Sequence, residues 1–334
     1  ATTQMGIGFS QYGVSEALRI VNTDDGDDFM LELWKLKRLR HYGILDIDTR
    51  AANVRDLLRL LQTLRLQQQL NMADERDVRK PAYIVVGVRF SVPRESETYT
   101  ALEMMFTEFP VDLLIASTHL DMDDDNREDC HITGPTVYKH PYASYQLSLV
   151  DVVQFLHEKR SSFARASVAI SFTMKARWYR PRDADPHEYW QWWPPGWVSP
   201  HTGFQEGQPC SSLGQRDHFT SYFQICSLNE HYKFRLQRVT GDKQFMHTFS
   251  EDDGLALTFD NNSTIQIKYC DLRAILNGIP YGIAIFDADQ DAWDKNPCYY
   301  GPQNFQRMTM IRKLIDLVSK TGHDHYPFGC WSLT

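Results

Sequence analysis

The segment YGILDIDTR, Tyr42–Arg50, decides how this chain is interpreted. After a glycine, apolar residues alternate with two aspartates, Asp46 and Asp48. This alternation predicts a buried strand that delivers carboxylates to one face of a sheet. The segment then ends on Thr49 and Arg50, so a cation stands where a third acid would complete the series.

Strand-like and helix-like stretches alternate on both sides of this segment. The strand-like stretches are 4–9, 82–90, 111–118, 166–174 and 281–289, and the helical ones are 27–41, 51–70, 99–109, 147–160, 265–276 and 304–319. The alternation predicts an α/β fold with a parallel sheet covered on both faces. Residues 179–260 break the rhythm because they are rich in Pro, Gly, Trp and His. We therefore expect an α/β domain over 1–178 and 261–334, with an inserted α+β lobe over 179–260.

The composition excludes several classes of protein. The 334 residues are 42% hydrophobic and 23% charged, which predicts a large core and argues against disorder. The formal net charge of −8 argues against a nucleic-acid partner, which favours a basic face. The sequence has no apolar run near the ~20 residues of a membrane span. No cofactor is expected.

The cysteines and two sequons favour an extracellular protein. No two cysteines form a CxxC pair, which argues against a zinc ribbon or a thioredoxin-type site, and their pairing stays open. The overlapping sequons at Asn261 and Asn262 are usable only in a secretory compartment. The six cysteines are Cys130, Cys210, Cys226, Cys270, Cys298 and Cys330.

The ordered series of segments resembles the catalytic domain of family 18 glycoside hydrolases, the chitinases and chitinase-like proteins. MGIGFSQYG is similar to that family's third strand, and HYGILDIDTR lies where the fourth carries Asp-Gly-x-Asp-x-Asp-x-Glu. VDLLIASTHLD is similar to the sixth strand, SYFQIC to the inserted lobe, and residues 259–291 to the return into the eighth strand. The resemblance implies a TIM-type (β/α)8 barrel that this chain enters at the third strand, with the lobe before the last strand.

The same resemblance implies a degenerate catalytic motif. In the family the sugar's own acetamido oxygen attacks the anomeric carbon, and the motif's last glutamate protonates the leaving oxygen. Aligned without a gap, the outer aspartate is Gly43, the inner aspartates are Asp46 and Asp48, and the acid is Arg50. A guanidinium with a pKa above ~12 does not donate a proton usefully at neutral pH. The structural alternative is that both aspartates are buried acids paired with a base such as Arg50 or Lys175.

The residues that would contact a sugar also depart from the family pattern. The sixth-strand tyrosine and aspartate are His119 and Leu120, and the eighth-strand tryptophan beneath the reacting sugar is Phe286. A Pro-rich loop carries tryptophans that either stack on a ligand or pack against the lobe. These are Trp190, Trp192, Trp193 and Trp197. The family also implies a disulfide between Cys226 and Cys298.

No metal site is expected. The acidic stretch Asp121–Asp129 lacks the spacing of a calcium loop, so it is interpreted as a solvated loop. The histidines lack the close spacing of metal ligands and are interpreted as surface residues. They include His119, His131, His140, His323 and His325.

We therefore expect a secreted chitinase-like pseudoenzyme that acts in binding or assembly, with a protein partner or a glycan such as chitin. The alternative is an active glycosidase on N-acetylglucosamine polymers, with Asp121 or Asp289 as a relocated acid. Only Ala1–Gln4 precede the first predicted strand. We also expect a companion polypeptide, or another subunit, to fill two strand positions and cover the sheet edge.

Overall fold

The computed structural model forms two compact units. The first comprises Ala1–Ser117, Gln154–Ile170 and Pro280–Ala284, and the second comprises Thr118–Val153, Ser171–Ile279 and Ile285–Thr334. The structure describes residues 5–35, 38–49, 52–73, 81–90, 97–120, 130–139, 148–159, 161, 165–182, 207–211, 213, 219–222, 224–225, 237–238, 245–250, 254–275, 281–291, 305–321 and 330.

A parallel sheet forms the framework of the first unit. In order across the sheet, its strands are β1 (Met5–Phe9), β2 (Leu39–Asp48), β3 (Ile84–Arg89), β4 (Leu113–Ala116), β5 (Ser167–Thr173) and β12 (Tyr281–Phe286). The neighbouring pairs from β1 to β5 are all parallel. With the helices that follow the strands, this is the architecture of a partial TIM-type barrel, as the sequence predicted.

Apolar side chains on β3 and on one helix explain why these elements pack together. Ile84, Val86 and Val88 are fully buried. Helix α3 buries four leucines at the spacing of one helical face, namely Leu57, Leu60, Leu61 and Leu64. The helices of this unit are α1 (Val14–Val21), α2 (Asp24–Lys35), α3 (Val54–Ala73) and α4 (Glu97–Glu108), and α5 (Leu149–Glu158) enters it from the second unit.

The second unit contains an antiparallel sheet. Its strands are β6 (Ala176–Pro181), β7 (Cys210–Ser211), β8 (Phe219–Thr220), β9 (Gln237–Arg238), β10 (Met246–Ser250) and β11 (Leu255–Phe259). They lie in the order β7-β6-β11-β10-β9, with β8 also beside β6. Most of this antiparallel sheet lies before β12 in the sequence region for which an inserted α+β lobe was predicted. The predicted boundaries of that lobe stay a prediction.

Two helices and two disulfides complete the described part of this unit. The helices are α6 (Asn262–Ile275) and α7 (Gln306–Thr321). Asn261 and Thr264 form a reciprocal cap on α6, since the Thr264 amide donates to Asn261 Oδ1 over 3.0 Å and the Asn261 amide donates to Thr264 Oγ1 over 2.9 Å. The disulfides are Cys130–Cys210 and Cys270–Cys330, a pairing that the sequence left open.

One predicted helix was wrong at its end. The apolar spacing predicted a helix from Asp27 to His41, but α2 ends at Lys35 and β2 begins at Leu39. Arg38 adopts a left-handed conformation with φ of 56°, which does not continue a right-handed helix. The residues after it pair with β1, with Met5 opposite Leu39 and Gly6 opposite His41. Strand pairing therefore overrides the local helical pattern here.

The strand at the β1 edge of the sheet is more exposed than its neighbour. Met5 is 58% exposed, whereas Ile44 and Ile47 on β2 are fully buried. Among the described residues β1 has a sheet partner only in β2. The companion segment expected at this edge stays a prediction. Within the described part of the chain, no helix has the length and apolar character needed to cross a membrane.

Candidate functional site

Asp46, which the sequence aligns with an inner aspartate of the family motif, accepts hydrogen bonds from residues of the same chain. Its Oδ2 accepts a hydrogen bond of 2.5 Å from the Ser10 hydroxyl, and its Oδ1 accepts one of 2.7 Å from the Gln11 amide. These donors begin the one-turn 3-10 segment Gln11–Gly13 that follows β1. The carboxylate therefore caps this turn and ties β1 to β2, which is a structural role.

The residues after Asp46 are also used to join neighbouring segments. The Asp48 amide donates to Gln11 Oε1 over 3.0 Å, and the Asp48 residue is 8% exposed. The Thr49 amide and hydroxyl both donate to the Arg89 carbonyl over 3.2 Å. Arg50 lies outside the described residues, so its predicted place at the acid position rests on the sequence.

The sequence prediction placed Gly43 at the outer aspartate of the family motif, and the sheet leaves no space for a side chain at Gly43. A Cβ atom on Gly43 would collide with the Val85 carbonyl oxygen of β3. The pairing of β2 with β3 is irregular between Ile44 and Ile47, which accompanies this close approach. Beside it, Tyr42 is fully buried and burial raises its pKa to about 12. The backbone geometry therefore leaves no room for a carboxylate side chain at position 43.

His119 and Phe286 lie together, as expected for residues of one site. Their ring centroids are 4.4 Å apart at an interplanar angle of 37°. His119 Nδ1 lies 2.7 Å from the Ser171 hydroxyl, which also accepts from the Thr118 amide over 2.8 Å. His119 is only 8% exposed, so the interpretation of His119 as a surface histidine was wrong. The imidazole therefore covers part of the Phe286 ring, and the correspondence of Phe286 to the family's tryptophan stays a prediction.

A polar cluster that the sequence analysis missed follows the ends of β5 and β12. Lys175 Nζ lies 2.9 Å from Asp287 Oδ1, and the Thr173 hydroxyl donates to Asp287 Oδ2 over 2.6 Å. The Lys175 amide donates to the same Thr173 hydroxyl over 3.1 Å. The expected pairing of Lys175 with the motif aspartates was wrong, because its ion-pair partner is Asp287. The signal in the sequence was an acid directly after the last strand.

Two further ion pairs of the second unit are fully buried. Arg307 Nε donates to Asp291 Oδ1 over 2.8 Å, and Lys268 Nζ donates to Asp260 Oδ1 over 2.6 Å. All four side chains are 0% exposed. The Arg307 guanidinium also lies 4.4 Å from the Tyr222 ring centroid, and burial raises the pKa of Tyr222. Because both pairs are completely buried, we interpret them as structural ion pairs.

The remaining predicted residues are exposed, half-buried or outside the described part of the chain. Asp289 is exposed on a one-turn 3-10 segment after β12 and accepts a hydrogen bond of 2.6 Å from Gln290 Nε2. Asn261 and Asn262 are half-buried at the start of α6. The described residues contain no His, Cys, Asp and Glu cluster suited to a metal ion. Some predictions concern residues that lie outside the described ranges: Asp121, the tryptophans Trp190, Trp192, Trp193 and Trp197, and the Cys226–Cys298 pair.

Comparison with known proteins gives structural matches without sequence matches. No family model and no curated protein sequence matches the chain. The solved structures that resemble it are chitinases and a pseudo-chitinase. A group IV chitinase from Ostrinia furnacalis, in complex with allosamidin, gives a TM-score of 0.62 at 12% identity, over 93% of this chain and 76% of the other.

Two other neighbours differ in activity but share the fold. Human YKL-39, described as a pseudo-chitinase with retained chitooligosaccharide binding, gives a TM-score of 0.63 at 12% identity, over 93% of this chain and 80% of its own. An immunomodulatory active chitinase from Trichuris suis gives 0.64 at 10% identity, over 93% and 80%. At such identities the likeness establishes the fold alone, so the resemblance noted in the sequence is confirmed at that level. This chain has the fold of chitinases and chitinase-like proteins.

Proposed function

We propose that this chain is a chitinase-like protein that binds a glycan without hydrolysing it. The observation that carries the proposal is the state of Asp46, whose two oxygens accept hydrogen bonds from Ser10 and Gln11 of the same chain. In the aligned motif the acid is Arg50, and Gly43 has no room for a carboxylate. With arginine at the acid position, this strand lacks the proton donor that substrate-assisted hydrolysis requires.

Glycan binding is supported by a precedent on the same fold. YKL-39 is described as a pseudo-chitinase that retains chitooligosaccharide binding. Loss of hydrolysis and retention of sugar binding are therefore compatible with this architecture. In the present chain, the partly exposed groups Lys175 and Asp287 follow β5 and β12, at the end of a parallel sheet where barrel proteins bind their ligands.

Two measurements on one preparation test the proposal. A fluorogenic chitotriose substrate should give no turnover above a buffer control, and calorimetric titration with N-acetylchitotetraose should give saturable binding. Arg50→Glu should not restore turnover, because Gly43 and His119 remain unchanged. Turnover that survives repurification would overturn the assignment as a pseudoenzyme and favour the relocated acid. Absence of glycan binding would overturn the binding role.

Secretion is part of the proposal and is supported by the two disulfides. Bonds such as Cys130–Cys210 and Cys270–Cys330 persist in oxidising compartments and are rare in the cytosol. Expression through a secretory pathway, followed by enzymatic deglycosylation and peptide mass analysis, should place a glycan at Asn261 or Asn262. Unmodified peptides throughout, together with free thiols, would contradict an extracellular location.

The hypothesis also includes a companion polypeptide at the β1 edge of the sheet and a role in protein assembly. Light scattering of the purified chain, with and without added glycan, distinguishes assembly from simple sugar binding. A monomer of 38.9 kDa that binds glycan would favour the lectin role alone.

A further inference from the structure

We propose that Lys175 and Asp287 form a hydroxyl-binding site for the terminal vicinal diol of an N-acetylglucosamine oligosaccharide. This inference rests on the proposed glycan-binding function and names the residues and the part of the sugar that would be recognised. The central distance is the 2.9 Å between Lys175 Nζ and Asp287 Oδ1. Neighbouring hydroxyl oxygens on a pyranose ring are also separated by about the length of one hydrogen bond.

The pair has hydrogen-bonding capacity to spare. An ammonium group has three donors, and among the described residues Lys175 uses one of them on Asp287. The Asp287 carboxylate accepts from Lys175 and Thr173, which leaves further lone pairs on both oxygens. The two side chains are 24% and 25% exposed, so solvent or a ligand reaches them. A diol that accepts from the ammonium and donates to the carboxylate complements both groups.

The pair is also held in place before any ligand arrives. Thr173 bridges the two residues, since its hydroxyl accepts from the Lys175 amide and donates to Asp287. The Met174 amide donates to the Phe286 carbonyl over 3.0 Å, which fixes the two strand ends to each other. Lys175 Nζ also lies 5.3 Å from the Phe219 ring centroid. Such preorganisation lowers the entropic cost of binding.

Asp287 has a left-handed backbone conformation directly after β12. Its φ is 54°, in the left-handed region, which aspartate enters more readily than most side-chain-bearing residues but at some conformational cost. Strained conformations of this kind cluster at ligand-binding and catalytic positions. Here the conformation follows directly on Phe286, whose aromatic ring is of the type that stacks on sugars. Asp287 thus follows an aromatic residue, has a left-handed backbone and retains lone pairs that can accept further hydrogen bonds.

The chemistry of the oligosaccharide limits which sugar unit fits. In a β-1,4-linked N-acetylglucosamine chain, internal units carry an acetamido group at one carbon and a glycosidic bond at another, so they have no vicinal diol. Only the non-reducing terminal unit retains adjacent free hydroxyls. The acetamido N–H and the neighbouring 3-hydroxyl of an internal unit meet the pair in one orientation only, because that N–H donates but does not accept. Both hydroxyls of the terminal diol donate and accept, so the diol complements Lys175 and Asp287 in either orientation and the site favours the chain end.

The test uses methyl β-chitotrioside before and after periodate oxidation, which cleaves the one vicinal diol of this compound. Calorimetric titration of the full chain should show binding of the intact glycoside and binding that is weaker by about 10- to 100-fold after oxidation. Asp287→Asn and Lys175→Met should each weaken binding of the intact glycoside by a similar factor. Asp316→Asn, a matched substitution on the exposed face of α7, should leave it unchanged, and thermal melts verify that each variant is folded.

The outcomes separate the site from the general function. Intact glycoside that binds the wild type and both variants equally would overturn the Lys175–Asp287 assignment while leaving glycan binding in place. Equal affinity for the oxidised glycoside would overturn recognition of the diol. Wild-type protein that binds neither this glycoside nor N-acetylchitotetraose would overturn the proposed function, and the site with it.

Discussion

Three ion pairs of the second unit lie at two depths, and the difference indicates what each pair does. Lys268–Asp260 and Arg307–Asp291 are 0% exposed, whereas the side chains of the Lys175–Asp287 pair are 24% and 25% exposed. A fully buried pair has lost its water, so each partner depends on the other and on nearby carbonyls. A partly exposed pair keeps hydrogen bonds for an incoming ligand. Depth therefore separates structural charges from charges available for recognition.

The hydrogen bonds of Arg307 illustrate the buried case. Besides Asp291, its guanidinium donates to the carbonyls of Met174 over 2.9 Å, Asp260 over 3.2 Å and Gln290 over 3.3 Å. Lys268 similarly donates to the Thr136 carbonyl over 2.9 Å. These cations connect segments that are distant in the sequence, so their loss would leave several acceptors unsatisfied at once.

The largest expected effect is therefore at Arg307. Arg307→Met should lower the free energy of unfolding by about 3–5 kcal/mol, because it removes the buried cation that pairs with Asp291 and the donor that several buried carbonyls share. Arg312→Met is the matched control, since Arg312 pairs with Asp316 on the exposed face of α7 and should cost below about 1 kcal/mol. Urea denaturation followed by circular dichroism measures both. Equal losses in the two variants would break the distinction by depth.

A buried histidine extends the comparison to pH. Burial lowers the pKa of His247 from 6.5 to about 4, so the folded protein holds the ring neutral where the unfolded chain takes up a proton. Because the unfolded state binds more protons, stability should fall as pH falls from about 6.5 to about 4, by about 3 kcal/mol in all. Below that range both states are protonated and no further loss comes from this group.

Unfolding free energies measured from pH 7 to pH 4 check this expectation. His247→Gln should reduce the slope over that window, since glutamine does not titrate. His157→Gln, at an exposed position of α5, should keep the wild-type slope. If both variants retained the full slope, the acid sensitivity would arise from other groups.

Two glycines that lie opposite each other in the first unit differ in the space available for a side chain. Gly8 on β1 pairs with Gly43 on β2. A Cβ at Gly43 would meet the Val85 carbonyl, whereas one at Gly8 would make an ordinary contact of 3.4 Å with a Leu45 methyl carbon. Gly43→Ala should therefore cost about 1–3 kcal/mol, and Gly8→Ala less, by chemical denaturation. A tolerated Gly43→Ala would show that β2 and β3 can separate, and would reopen the question of an acidic residue there.

The fold was predictable because its signals are local and repeated. Apolar runs such as Ile84–Arg89 and the leucine face of α3 have the periods of a strand and a helix, and their alternation determines a parallel sheet. The end of α2 was not predictable in this way. Leu39 has helical spacing, yet it joins β2 because β1 offers a partner strand, and that interaction is distant in sequence.

The candidate site was predictable only where a motif marked it. His119 and Phe286 were named because one follows and the other ends a recognisable strand, and the structure places their rings 4.4 Å apart, while their role in binding stays a prediction. Lys175 and Asp287 were missed because their sequence separation hides the pair, which forms only when β5 and β12 end at neighbouring positions. The alternation of Asp46 with Asp48 likewise gave no sign that Ser10 and Gln11 would bind the first carboxylate.

The smallest effect on stability is expected at the pair that we assign to recognition. Lys175→Met keeps the aliphatic stem and removes an ammonium that is about a quarter exposed, so water can replace its hydrogen bond to Asp287. The loss in unfolding free energy should be about 1 kcal/mol or less, measured by urea denaturation under the conditions used for Arg307→Met. Asp287→Asn should behave alike, because the amide still accepts from Thr173. A loss near that of Arg307→Met would place Lys175 among the structural cations, since a group that the fold requires so strongly has little capacity left for a ligand. A small loss combined with a large reduction in glycan affinity would instead show that exposure, and not charge pairing itself, marks the functional pair.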